Sequence, residues 1–547
     1  MFVPWLLKLA VDAFQHPRPD GHPPSFYALL IMGAAAGQGI VRILSRTVLL
    51  NTSREIEYLI RNDLFARVVT LDQLSLARER TGDIISRFSN DLTNVRMLMG
   101  FGILSTINTV IIYLAAVFLM CRISPLLTLY AVLPFPIMIL IVKRISAAMF
   151  HRSRRAQEEL ARISSQVEEN ASAAAVIRAY CREEAQSRRF REAGEHYLKS
   201  NLAIARLRGL MMPVMAGSGG AGALIVLFIG GSRVIAGTLT LGDFVAFNGY
   251  LAMLVWPSII MGWILNLMQR GAASMSRLNH ILEARPAVTE PADPIRPEAI
   301  RGEIEFRNLS FAYDSLPVLD GISLTVSPGM KVGITGPVGS GKSTLMKLAG
   351  RLLPVRDGQL FIDGTEINRI PLADLRNAIG FVPQESFLFS RSLRDNIAYG
   401  REDASEETVA TAARLARLDG DIERFPDGYD TLVGERGVTL SGGQRQRAAI
   451  ARALAKDPSI LLLDDPLSAV DARTEEEILA GLAGFHGDRT VLVVSNRISA
   501  LQGCDLIVVL DAGKIAEQGT HDELLARNGQ YAAICREQQL RAEIEAL

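Results

Sequence analysis

The residues with the clearest chemical potential lie in the second half of this 547-residue chain. Gly336, Pro337, Val338, Gly339, Ser340, Gly341, Lys342 and Ser343 form a complete G-x-x-x-x-G-K-S run, followed by Thr344. Glycines let the backbone wrap tightly enough for its N–H groups and the following helix N-terminus to hold phosphate oxygens. Lys342 neutralises the β and γ phosphates of a nucleotide, and the Ser343 hydroxyl ligates Mg²⁺. A second run, Ile460-Leu-Leu-Leu-Asp464-Asp465, reads as a buried parallel strand ending in two carboxylates. Ligands of open α/β sheets bind outside the carboxyl ends of the strands, where these acids fall. Asp464 suits Mg²⁺ through water, and Asp465 stands where a water-activating base is needed.

These groups need a sheet to hold them. The strand Lys331–Thr335 leads into the glycine-rich loop, and an apolar-periodic helix, Thr344–Leu353, leaves it. Gly302–Phe311 alternates as a strand, and hydrophobic runs then alternate with helical patterns. That order predicts an α/β domain with a largely parallel sheet over residues 301–547. Before it, the Pro-rich, charged Glu283–Pro297 predicts a linker, taken as 283–300.

The first half is a different material. A membrane helix needs roughly 20 mostly apolar residues to cross about 30 Å of hydrocarbon. Phe26–Leu50, Gly100–Cys121, Ser124–Val142, Met211–Ala236 and Leu241–Met268 meet that demand. Pro134, Pro136, Pro213 and Pro257 fall within them, which membrane helices tolerate. Met1–Phe14 is apolar but too short to span and carries Lys8, so it is expected to be the end of a truncated first helix. Asn51–Met99 and Lys143–Arg208 are charged and rich in helix formers, and would extend the membrane helices well beyond the bilayer. Lys143, Arg144, Arg152, Arg154 and Arg155 place the second stretch in the cytoplasm. Residues 1–282 are thus expected to form an all-α polytopic domain in the lipid bilayer.

Lys+Arg and Asp+Glu both total 58, so the bulk charge points to no nucleic-acid partner. Cys121, Cys181, Cys504 and Cys535 have no metal-ligand spacing.

Leu440-Ser441-Gly442-Gly443-Gln444 lies between the phosphate loop and the acidic strand and matches the ABC signature. With it, the chain resembles a type IV ABC half-transporter from end to end, a six-helix membrane domain fused to a P-loop ATPase. The wording ILLLDDPLSAVDARTEEEIL and WPSIIMGWILNLMQRGAASMSR resembles the MdlA/YheI-type multidrug half-transporters. The resemblance implies ATP and Mg²⁺ as ligands. It assigns Tyr313 to the loop that stacks on adenine and Asp471 to the D-loop. Gln384 takes the Q-loop position, grouped with the catalytic positions and with Ser343 and Asp464 as a Mg²⁺ ligand. Asn496 takes the switch position. Stretches from Arg80 (RTGDIISRFSNDLTNVR) and Ala173 (AAAVIRAYCREEAQSRRF) resemble loops that couple to the nucleotide domain.

Two positions depart from the family pattern. Asp465 stands where the family carries Glu, and Asn496 where it carries His. Asp is a methylene shorter, which withdraws the carboxylate by roughly 1 Å, a displacement that can cost ~10²-fold in rate. Asn cannot become cationic and gives weaker stabilisation to charge on the leaving phosphates. The site is therefore expected to bind ATP and hydrolyse it slowly. In the family, each phosphate loop is completed by the signature of a second half-transporter. A partner of different sequence, bearing Glu and His, would give one competent and one degenerate site. The expected cargo is a small amphipathic drug or lipid. A peptide exporter, a slow homodimer and a non-transporting ATP sensor are the alternatives.

Overall fold

The computed structural model describes residues 2–15, 22–77, 79–401, 403–434, 437, 440–467, 474–475, 477–478, 481, 487 and 489–545, the last five by backbone alone. The chain divides into two units: Met1–Val69 with Thr81–Glu283, and Thr70–Arg80 with Ala284–Leu547.

The first unit is entirely helical among the described residues. A 14-residue helix, α1 (Phe2–Gln15), precedes five long ones: α2 (Pro24–Thr70), α3 (Thr81–Ile123), α4 (Pro125–Ser172), α5 (Glu183–Ile235) and α6 (Leu241–Leu282). Each of the five holds one of the apolar stretches expected to span, and each is apolar enough and long enough to cross a membrane. The charged stretches continue these helices, as their composition predicts. At 1.5 Å per residue, helices of 42 to 53 residues extend about 60–80 Å, twice a bilayer core. Pro213 and Pro257 sit inside α5 and α6 without ending them.

Helix contacts follow residue size. Gly271 of α6 lies so close to Leu98 of α3 that a Cβ would come within 2.6 Å of its side chain. Further along α3, Asp91 is 5% exposed and accepts from Arg277 Nε at 2.9 Å and from Ser274 Oγ at 2.8 Å. A buried carboxylate is tolerated because its oxygens are satisfied. At the start of α6, Lys8 of α1 pairs with Asp243 at 2.6 Å, and Asp12 accepts the Gly242 N–H at 3.1 Å.

The second unit carries two sheets. A four-stranded antiparallel sheet, order β2-β1-β4-β5, is built from β1 (Ile304–Tyr313), β2 (Leu316–Val326), β4 (Leu360–Ile362) and β5 (Thr365–Glu366). A six-stranded sheet, order β10-β9-β3-β8-β7-β6, contains β3 (Lys331–Thr335), β6 (Ile379–Val382), β7 (Ile460–Asp464), β8 (Thr490–Val494), β9 (Leu506–Asp511) and β10 (Lys514–Gly519). All its pairings are parallel except β9 with β10. The sequence pattern predicts the parallel sheet; the antiparallel sheet is an addition to it. Central strands β7 and β8 are buried at every residue, which is why they read as unbroken hydrophobic runs.

Two features refine the sequence expectations. The stretch Glu283–Pro297 has neither helix nor strand, yet it is tied down along its length. Arg351 donates to the Thr289 carbonyl at 2.9 Å, the Leu372 N–H to Glu290 at 3.1 Å, and Arg369 to Asp293 at 2.8 Å. The coupling stretch from Arg80 lies almost wholly in α3, whereas the residues just before it, Thr70–Arg80, belong to the nucleotide unit. Leu74 packs on the apolar core under the two sheets, and Asp72 accepts the Ser75 and Ala287 N–H groups at 2.9 and 2.5 Å. Burial opposes ionisation of Asp72, but these hydrogen bonds outweigh it and hold the carboxyl below its ordinary value.

Candidate functional site

Four parallel neighbours, β3, β8, β7 and β6, end at one edge of the large sheet. Each delivers a singled-out group there: the glycine-rich loop after β3, Asn496 after β8, Asp464 and Asp465 at β7, and Gln384 after β6. The strand order thus brings together groups up to 160 positions apart without any of them being neighbours in sequence.

The loop from Gly336 to Gly341 is a turn that only glycine can make. Gly336 has φ +141°, and a Cβ there would lie 2.0 Å from the Leu510 carbonyl oxygen. Gly341, at φ +99°, would meet the Leu319 side chain at 2.5 Å. Val338 and Gly339 form the exposed crest, while Ser340 is buried and its hydroxyl has no hydrogen-bond partner among the described residues. Lys342, 9% exposed, opens α7 (Lys342–Ala349) and folds back to donate to the carbonyls of Gly336 and Pro337 at 2.7 and 2.8 Å. Burial lowers the ammonium pKa, and the Asp465 and Asp464 charges oppose that shift.

Ser343 Oγ donates to Asp464 Oδ1 at 2.9 Å, so the hydroxyl and carboxylate expected to serve one Mg²⁺ are already side by side. Asp464 is 2% exposed, and burial pushes its carboxyl up against the pull of the Ser343 hydrogen bond and the Lys347 charge. A hard cation with oxygen ligands fits this pair, and anionic phosphates fit the wrapped loop, the unsatisfied Ser340 hydroxyl and the buried ammonium. When bound, Mg·ATP supplies the phosphoryl group and the charge neutralisation. Lys342, Ser343 and Asp464 are the residues that would hold it.

Asp465 sits at φ +49°, in the left-handed region that Asp tolerates better than most residues. Its N–H bonds to the Val494 carbonyl at 3.0 Å, locking β7 to β8 at the last rung. Burial raises its carboxyl, opposed by the Arg497 and Lys342 charges. Asn496 is exposed at the end of β8, and Gln384 is exposed after β6. The Tyr313 hydroxyl lies 3.4 Å from Thr344 Oγ1, and its ring stands edge-on to Phe311. This places the aromatic of the small sheet against the helix that leaves the loop.

The signature forms a different local structure. Ser441 caps α8 (Gly442–Ala455): its hydroxyl accepts the Gln444 N–H at 3.2 Å, and Gln444 returns a bond to the Ser441 N–H at 2.9 Å. Leu440 is buried, Gly442 and Gly443 form the first turn, and Gln444 reaches Asp421 at 3.0 Å. Among the described residues, none of these hydrogen-bond partners belongs to the loop or to β7. Asp471 lies outside the described residues.

Sequence reasoning missed the groups that hold the switch segment. Glu475, 1% exposed, pairs with Arg497 and accepts from Ser499 Oγ at 2.6 Å. Its position within TEEEIL gives no local pattern separating it from a solvated helix face.

Comparison with known proteins agrees with this architecture. Residues 1–258 match the ABC transporter transmembrane region, and residues 319–468 match the ABC transporter family. The chain is 38% identical over 544 residues to a probable multidrug resistance ABC transporter ATP-binding/permease protein, YheI, of Bacillus subtilis, covering 99% of this chain and 93% of that protein. It is 35% identical over 472 residues to an ATP-dependent lipid A-core flippase of Syntrophus aciditrophicus, covering 86% and 78%. Among solved structures it superposes on a bacterial Atm1-family ABC exporter with ATP bound, at a TM-score of 0.81 and 29% identity, over 98% of this chain and 95% of that one. The chain therefore belongs to the ABC transporter family, as a multi-pass protein of the cytoplasmic membrane with an exporter-type helical domain and a cytoplasmic ATPase domain that couples ATP hydrolysis to transport.

Proposed function

We propose that this chain is the ATP-binding/permease subunit of an exporter for amphipathic drugs or lipids, and that its own ATP site is degenerate. The observation that carries the second part is the pairing of Asp465 and Asn496 at the ends of adjacent strands β7 and β8, beside an intact phosphate loop. Both departures fall on the step that activates water and stabilises the leaving phosphates. Neither touches the residues that hold them.

The division of labour in this reading is supported by the placement of the side chains. Lys342 and the loop N–H groups bind the phosphates; Ser343 and Asp464 position the divalent ion. Asp465 withdraws its carboxylate from the water position, and Asn496 offers a neutral amide where a cation would serve. Gln384, after the adjoining strand β6, joins Ser343 and Asp464 as a ligand of the ion and belongs with the catalytic positions. Leu440–Gln444 serves the second half-transporter's phosphate loop, and a partner of different sequence with Glu and His would hydrolyse there. ATP held at this chain's own site works largely as a ligand that keeps the two nucleotide domains closed. The cargo class rests on the multidrug and lipid relatives and on the apolar character of the long helices.

The test is purification of this chain alone, with ATP affinity and turnover measured together. Tight binding with negligible turnover supports the reading. Robust hydrolysis that disappears in Lys342→Ala would leave a homodimer in which Asp465 suffices.

A further inference from the structure

The segment that presents Asn496 is held from outside the active-site edge by the C-terminal helix. That helix, α9 (Gln530–Glu545), begins where Glu517 of β10 accepts the Gln530 and Tyr531 N–H groups at 2.5 and 3.2 Å. Tyr531 is fully buried, Cys535 is 4% exposed, and both join the larger apolar core of the unit. Tyr531 also bonds His521 Nδ1 at 2.8 Å. Residues 531, 535 and 538 follow i, i+4, i+7 spacing, so the stripe that buries Tyr531 and Cys535 also delivers Gln538.

Gln538 meets the switch segment at two backbone points. Its Nε2 donates to the Asn496 carbonyl, and its Oε1 accepts the Ile498 N–H at 3.1 Å. Ile498 begins the short helix Ile498–Leu501, whose preceding residue, Arg497, supplies no side-chain cap. A primary amide donates and accepts at once through two atoms borne on one carbon, and Gln supplies it with the reach this contact uses. Glu475 pairs with Arg497 and accepts from Ser499. Residues 496 to 499 are thus held by both Gln538 and Glu475, while Asn496 itself stays exposed.

We propose that Gln538 is a positioning residue of the ATP site: it holds the backbone of the switch segment so that the Asn496 amide faces the terminal phosphate. The proposal rests on the reading that Asn496 occupies the switch position. It makes α9 part of the nucleotide machinery, so that displacing the C-terminal helix weakens discrimination between ATP and ADP at this site. Gln538 itself touches no phosphate; it acts through Asn496.

The experiment uses the full chain purified in detergent. Affinities for Mg·ADP and for a Mg-bound non-hydrolysable β,γ-imido ATP analogue are measured for wild type, Gln538→Ala, Gln538→Glu, Asn496→Ala and the Asn496→Ala/Gln538→Ala double variant. Loss of both hydrogen bonds is expected to weaken the grip on the analogue about tenfold in Gln538→Ala. ADP affinity is expected to stay within about twofold, because the lost contact concerns the terminal phosphate alone. Gln538→Glu keeps the acceptor for the Ile498 N–H but sets a carboxylate against the Asn496 carbonyl, so its loss on the analogue is expected to match or exceed that of Gln538→Ala, and it serves if the alanine variant does not fold. In the Asn496→Ala background the second substitution is expected to add nothing. Equal losses for both nucleotides, or an undiminished loss without the Asn496 side chain, would overturn the proposal and leave Gln538 a structural contact. Rapid ATP hydrolysis by the wild-type chain would refute the slow-site reading yet leave this cycle interpretable, since neither ligand is hydrolysed.

Discussion

Two regions of the ATP site meet along one sheet edge, and we propose that they differ in competence. The phosphate-holding region, Gly336 to Ser343 with Asp464, is specified to the atom: Gly336 has no room for a Cβ, Lys342 is threaded into its own loop, and Ser343 already touches Asp464. In the region proposed to activate water, Asp465 has a shorter reach than a Glu would, and Asn496 cannot take the charge that a His can. Its backbone is held by the Asp465–Val494 rung, Glu475 and Gln538. A site that preserves architecture and binding while altering only the reacting groups is one retained for occupancy, and we propose that role for it here.

That contrast can be broken most sharply at the holding region. Lys342→Ala removes a buried ammonium from the phosphates and is expected to weaken ATP binding by about 10²-fold, in line with ~1.5–3 kcal/mol for a charge-assisted bond. Calorimetric titration checks it; unchanged affinity would show that the loop is not the binding element. Gly336→Ala comes next. The clash with the Leu510 carbonyl and the forced φ are expected to cost about 2–3 kcal/mol, seen as a lowered melting temperature as well as weaker binding. Ser343→Ala is smaller: affinity for ATP is expected to fall about tenfold with Mg²⁺ present and little when it is chelated. A loss that ignores the metal would move the cation elsewhere.

The smallest effect serves as a control remote from the phosphates. Asp72→Asn is expected to leave ATP affinity unchanged while loosening the Thr70–Arg80 segment, read as faster hydrogen exchange at the Ser75 and Ala287 amides. Acidification is expected to do the same. The folded carboxyl titrates below its unfolded value of about 3.9, so its contribution is complete above that pH and is lost as pH falls through the folded value.

How much of this could be read in the sequence depended on whether a structural demand is local. The glycine-rich loop, the apolar spans and strand β7 each carry their requirement in consecutive residues, and the long helices and the large sheet follow from them. The switch clamp does not. Gln538 lies 42 positions beyond Asn496 and is an ordinary polar residue until folding brings its amide to two backbone atoms. Asp72 and Leu74 likewise sit in a charged stretch that reads as helix extension, and only tertiary contact assigns Thr70–Arg80 to the nucleotide unit. The antiparallel sheet was legible only in part: Gly302–Phe311 alternates as a strand, but its pairing with β2 runs through several register shifts that no local pattern announces.

The most direct test of the account restores the altered side chains. ATP turnover is measured for the purified wild-type chain and for the Asp465→Glu/Asn496→His double variant under identical conditions, with ATP affinity recorded in parallel. The account predicts negligible wild-type turnover, a gain of about 10²-fold in the double variant, and affinity changed by no more than a few-fold. Fast wild-type hydrolysis, or a double variant no faster than the wild type, would contradict it.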